Sequence, residues 1–313
     1  MILTVTLNPT LDRVVEIPNF EVGKVNGIKR ERMRIAGGKG INVSRVVKTL
    51  GAKTVATGWT GGKNGKFIEE SLREEGIATD FVKIKEENRV NLTILDPIRN
   101  TQTHLVERGP NIFEEEIAQL RDKLKELTKE AEVVVFSGSV PRGVSDDIYY
   151  HLIRLTHEQK NGLISILDTR GKPLKEGIEA KPFMIKPNEE EIRQLMGKEF
   201  SSEEELIQEA RSICEKNDVK LVVVSRGKRG AIVITRKETL MVIPPQIKPL
   251  NTVGAGDALV AGFAVGLSKG KKLEETSRLG VAAGVASAKS GREKLLSLKE
   301  VRNLSEKVKI IHL

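Results

Sequence analysis

Short apolar runs that end at turn residues and hand over to helical patterns recur along this chain. That alternation constrains the fold more than any other feature. Ile2 to Leu7, "KTVATGW", "EVVVFSG", "GLISILD", "PFMIKPN" and "VKLVVVSRG" are runs of strand length, rich in Val and Ile. Strands of this kind are buried on both faces. Helical stripes lie between them. One starts at Gly40, with Ile41, Val43, Val46, Val47 and Leu50 on one face and Gly51 closing it. Phe67–Glu75 reads as another, stopped by Gly76. Strand–helix alternation predicts an α/β fold with a mostly parallel central sheet and helices on both faces.

Two stretches break the rhythm. Residues from Asp12 to Ala36 and from Arg89 to Arg108 alternate like strands with no helix between. They predict a small antiparallel β lid inserted in one domain that spans residues 1–313. Loops and lids of this kind carry substrate contacts.

Bulk properties exclude several function classes. The net charge of +9 first suggests nucleic acid, but Lys and Arg alternate with Glu along the chain, the pattern of a solvated helical surface. Aromatic residues make up only 4%, too few for a base-stacking platform. The positive field suits anionic metabolites instead. A single cysteine, Cys214, leaves no intrachain disulfide. "MILTVTLNPT" has no basic n-region or long apolar run. The expectation is a cytoplasmic protein with neither nucleic-acid nor membrane partners.

Polar residues crowd the ends of the predicted strands, where open α/β sheets bind ligands. Asn8 and Asp12 follow the first, Ser139 the third, Asp168 the fourth, Asn188 and Glu191 the fifth, and Ser225 and Gly227 the sixth. Two glycine-rich loops add to them. "AGGKGIN" carries Gly37, Gly38 and Gly40 around Lys39 at a helix start, suiting a phosphate or a polyol; the alternative is a turn between lid and helix. It is not a Walker A loop, because Met33 stands where the first glycine belongs. "NTVGAGDALVAGF" sets Gly254, Ala255 and Gly256 before an apolar helix, a place for an anion, yet the carboxylate of Asp257 follows at once. A charge there fits a general base beside an anion that develops during reaction; the alternative is a simple helix N-terminal charge. Asn188 and Glu191 read equally well as a helix cap or as a Mg²⁺ site acting through waters. No zinc motif and no serine-hydrolase elbow is present.

Taken in order, "TLNPTLD", "AGGKGINVSRVVKTLG", "SGSVPRG", "IKPNEEE", "VSRGKRGA" and "NTVGAGDALVAGF" resemble the PfkB (ribokinase-like) carbohydrate kinases. "MILTVTLNPTLD", Lys39 and "NRVN" narrow the likeness to the branch that acts on phosphorylated sugars, 1-phosphofructokinases and tagatose-6-phosphate kinases. The resemblance implies a ribokinase-like fold, ATP and Mg²⁺ as cofactors, Asp257 as catalytic base, and Gly254, Ala255 and Gly256 as anion hole. It implies sugar contacts at Asp12, Gly38 and Asn42, and a clamp on the substrate's own phosphate at Lys39, Arg89 and Ser139. ATP is expected along Lys186, Ser225, Gly227, Gly230 and Gly256, and the metal at Asn188 and Glu191. The lid would join a partner's lid in a homodimer. Arg142, Arg170 and Arg226 depart from the family's usual residues. The implied reaction is phosphorylation of a ketohexose phosphate, with fructose 1-phosphate first. Other substrates in the family, or a sensor without catalysis, are the alternatives.

Overall fold

The computed structural model describes residues 1–290 and 296–313. The chain opens with β1 (Ile2–Thr6), then two lid strands, β2 (Thr10–Glu16) and β3 (Arg30–Gly37). Helix α1 (Lys39–Thr49), β4 (Thr54–Thr60), α2 (Gly62–Glu74) and the short β5 (Ala78–Thr79) and β6 (Val82–Lys83) return to the main body. The second lid hairpin is β7 (Arg89–Asp96) and β8 (Thr101–Val106). Regular alternation resumes with α3 (Glu114–Glu130), β9 (Val133–Ser137), α4 (Ile148–Gln159), β10 (Ile164–Asp168), α5 (Lys172–Ile178) and β11 (Met184–Ile185). Two helices, α6 (Glu189–Met196) and α7 (Glu203–Lys216), precede β12 (Leu221–Ser225), and β13 (Ala231–Ile234) and β14 (Thr239–Ile243) follow. The chain closes with α8 (Ala255–Ser268), α9 (Leu273–Ser290), α10 (Leu298–Lys307) and β15 (Lys309–His312).

The large sheet runs β15-β14-β13-β12-β11-β10-β9-β1-β4-β5, with β6 also on β4. It is parallel from β5 to β12, as the alternation predicts. The last three strands pair antiparallel and form one edge. Alternate residues of each strand serve opposite faces. Leu3, Val5, Val134, Phe136, Val222 and Val224 enter one core with residues of α3 to α7. Ile2, Val133, Val135, Leu221 and Val223 enter the other, with α1, α8, α9 and α10. Helix α8 is buried nearly all round. A Cβ on Gly262 would lie 2.6 Å from the Gly280 Cα, so α8 and α9 meet backbone to backbone. That contact fixes α8, whose N-terminus carries Asp257.

From β1 the chain passes to β4 on one side and later returns to β9 on the other, so β1 and β9 flank a switch point. A crevice opens there at the carboxyl ends of the strands. The lid is a four-stranded sheet, β3-β2-β7-β8. Each hairpin is antiparallel, as its alternation predicts. The two hairpins join through a parallel pairing of β2 with β7, which periodicity alone does not reveal. Helix α2 starts at Gly62, five residues before its apolar stripe.

Candidate active site

Gly254 caps the start of helix α8, and its φ of +87° is left-handed and suits a residue without a Cβ. The turn brings Asp257 into the crevice with 6% of its surface exposed. Asn42 on α1 donates its Nδ2 to Asp257 Oδ2 at 2.7 Å. Burial pushes the Asp257 carboxyl up to about 6; Lys39 opposes this, Asp168 adds to it, and Asn42 and Lys186 oppose it further. A carboxyl poised near neutrality in a cavity is what a general base needs. We expect carboxyl ¹³C NMR of the free protein to titrate Asp257 near pH 6. Asn42→Ala, which removes a donor to the charged form, should raise that value; a shift downward would contradict the assignment.

Asp168 ends β10. It is fully buried and meets two lysines, Lys39 Nζ and Lys186 Nζ, each at 3.2 Å. Burial works against both charges, but each is more than offset by its partner. The Asp168 carboxyl is held low by Lys186 and Lys39, and the Lys39 ammonium is held high by Asp168, Asp257 and Glu191. The lysines are 129 and 18 residues away in sequence, so no local motif signals the triad. Lys39, expected in the clamp on the substrate's phosphate, also bonds Asp168, because the fold sets the first turn of α1 against the end of β10.

The lid supplies the opposite wall. Thr10 and Asp12 on β2 stand beside Arg89 and Asn91 on β7, in register. Asn91 Nδ2 donates to Asp12 Oδ1 at 3.1 Å. Arg89 donates Nη1 to the Glu107 carbonyl and Nη2 to the Asn8 carbonyl, at 3.1 and 3.0 Å. Burial pulls the Arg89 pKa down, against Asp12 and Glu107. Its Nε and the Asn91 Oδ1 are buried without a hydrogen-bond partner. Unpaired buried polar atoms are costly unless a ligand completes them.

Asn188 and Glu191 form a capping box. Asn188 Oδ1 accepts from the Glu191 N–H at 2.7 Å, and Glu191 Oε2 accepts from the Asn188 N–H at 2.9 Å. Each keeps a further polar atom and lines the cavity. That leaves a second Glu191 oxygen, enough for an ion that arrives with nucleotide phosphates and keeps most of its water. No cluster of three metal-ligating side chains exists among the described residues.

One cavity of about 820 Å³ gathers Asp12, Gly38, Lys39, Asn42, Arg89, Lys186, Asn188, Glu191, Ser225, Gly254, Gly256 and Asp257. Four expected residues lie outside its wall. Ala255 sits between the two glycines at the start of α8. Ser139 is exposed, its Oγ accepting from Asn8 Nδ2 at 3.3 Å. Gly227 and Gly230 bound a 3₁₀ turn, and a Cβ on Gly230 would meet the Val242 carbonyl, so no side chain fits there. The departures also have partners: Arg142 pairs with Glu86, and the buried Arg226 with Glu189 and Glu203. Arg170 is exposed.

The family model for pfkB family carbohydrate kinases matches residues 6–294. The chain belongs to this family. It is a phosphotransferase with an alcohol group as acceptor, and its fold is ribokinase-like. The kinase is 36% identical to a 1-phosphofructokinase of Borreliella burgdorferi over 99% of its length and 98% of the relative's. It is 37% identical to a tagatose-6-phosphate kinase of Staphylococcus epidermidis over 92% of both chains. Among solved structures, phosphofructokinase-2 of Escherichia coli superposes with a TM-score of 0.92 at 30% identity, covering 98% of each chain. No helix among the described residues is long and apolar enough to cross a membrane.

Proposed function

We propose that the kinase moves the γ-phosphoryl group of ATP to a hydroxyl of a ketohexose phosphate, converting fructose 1-phosphate to fructose 1,6-bisphosphate. The observation that carries this reading is Arg89, a cation held on two backbone carbonyls with a buried Nε unpartnered, in the same cavity as Asp257. A substrate's own phosphate would meet that donor. Asp257 takes the proton from the attacking hydroxyl as its oxygen forms the bond to the γ-phosphorus and the bond to ADP breaks. The backbone amides at Gly254 to Gly256 stabilise charge on the group in transit. Asp12, Gly38 and Asn42 orient the sugar, with Ser139 beside the phosphate. Lys186, Ser225, Gly227 and Gly230 mark the nucleotide side. Lys39, paired with Asp168, lines the same cavity as Arg89 and Asp257. Mg²⁺ bound through Asn188 and Glu191 would neutralise nucleotide phosphate charge.

Arg89→Ala tests the anchor. A charge-assisted contact of roughly 1.5–3 kcal/mol predicts a KM for fructose 1-phosphate raised about 10–150-fold. KM for fructose should barely change, and equal effects on both acceptors would remove the anchor. Tagatose 6-phosphate is the second reading, since the staphylococcal relative is as similar as the 1-phosphofructokinase. A homodimer through the lid and a cytoplasmic setting complete the proposal. Exposed Val22, Val25 and Ile98 on the lid loops support the dimer. Sedimentation at micromolar concentration should give about twice the chain's mass, and a monomer would exclude it.

A further inference from the structure

The side chain that orients Asp257 is itself oriented. Arg45, on α1 with 12% of its side chain exposed, makes five contacts. Nε and Nη2 donate to the two oxygens of Glu75, at the end of α2, at 2.6 and 2.7 Å. Nη1 donates to the Ala36 carbonyl at 2.6 Å and reaches Asn42 Oδ1 at 3.4 Å. The fifth contact is the helical one, its carbonyl accepting from Thr49 Oγ1. A guanidinium has no acceptor, so whichever Asn42 amide atom faces it must be the oxygen. The Asn42 nitrogen is thereby left to face Asp257. Ala36 lies in β3, two residues before Gly38, where the lid joins α1.

We propose that Arg45 is a positioning residue: it fixes which way the Asn42 amide points, and so orients Asp257, and it ties that pair to the backbone where the lid joins α1. Without Arg45 the amide is free to turn and present its oxygen to the carboxylate, which repels the charged form. The proposal rests on Asp257 being the base. Asp257 is also faced by Lys39 from α1, Asp168 from β10 and Lys186 after β11, none of which contacts Arg45.

The test is Arg45→Met, read by carboxyl ¹³C titration of Asp257 in the free protein and by steady-state kinetics. We expect the titration to move up by about half a unit or more, since a donor to the charged form is lost. The turnover should fall on the order of tenfold, with KM for the sugar within about threefold, because misplacement acts on the reacting geometry. Arg45→Lys, which still only donates, should restore the titration. An unmoved titration in Arg45→Met overturns the proposal. Should that variant fail to fold, Glu75→Gln loosens Arg45 without removing it; a smaller upward shift is expected, and no shift overturns the proposal equally. Asp257→Asn run alongside separates the two readings. Activity retained there sinks the base assignment, whereas an inactive Asp257→Asn beside an unmoved Arg45→Met sinks only the role of Arg45.

Discussion

Asp257→Asn is expected to lower kcat by about 10²–10⁴-fold and to leave the KM values for sugar and ATP within a few-fold. The amide keeps the size of the carboxyl, so α8, the left-handed turn at Gly254 and the approach of Asn42 should all survive. What disappears is the proton acceptor. Asn42 Nδ2, 2.7 Å away, would then face either an amide oxygen or an amide nitrogen, and only the first keeps the contact. Binding energy is largely indifferent to that change, since it acts on a proton that moves only during reaction. A loss confined to KM would place Asp257 in substrate binding instead. Stability offers an independent check. The buried carboxyl binds its proton more tightly in the folded chain, up to about pH 6, than it does when unfolded. Ionising it therefore costs stability as pH rises from the ordinary carboxylate range through that value. Asp257→Asn should be at least as stable as the wild type above pH 6.

Asp168→Asn has the largest expected effect on stability. It removes the carboxylate with which both Lys39 and Lys186 pair, and Lys186 has only 5% of its surface exposed. Leaving a buried charge without its partner costs roughly 3–5 kcal/mol, so urea unfolding at pH 7 should show a loss of that order. Its pH dependence has the opposite sign to that of Asp257. The folded-state pKa of Asp168 is lowered, so its contribution is present above the ordinary carboxylate pKa and fades as pH falls through the lower, folded value. The wild type should lose this stability in acid while the variant, already without it, changes less. Activity should fall as well, because Lys39 and Lys186 both line the reaction cavity. Wild-type stability in Asp168→Asn would mean that the lysines find other partners.

The α/β body was legible because each buried strand is an unbroken apolar run and each helix a stripe, and these are local patterns. The edge formed by β13, β14 and β15 was not read, since nothing local says where strands after β12 pair. The lid's two arms were read from alternation, but the parallel join of β2 to β7 spans 79 residues between Thr10 and Arg89 and leaves no trace in either arm. The site divides in the same way. Glycine-rich loops and Asp257 stand out in sequence because their spacing is short. The roles of Asn91 and Arg45 do not, since an unpaired oxygen and a guanidinium that fixes an amide depend on how the folded chain sets their neighbours. The Asn188–Glu191 spacing read as cap or metal site; the structure shows the cap, and the cavity wall leaves room for the second use.

Coupled ADP release, with ATP, Mg²⁺ and four acceptors in parallel, tests the central claim most directly. Fructose 1-phosphate, fructose 6-phosphate, tagatose 6-phosphate and fructose differ in where, and whether, a phosphate is present for Arg89 to hold. The account predicts turnover on a phosphosugar, fructose 1-phosphate foremost, at a KM at least about tenfold below that for fructose. Turnover confined to fructose, or equal KM values for fructose and every phosphosugar, would contradict it.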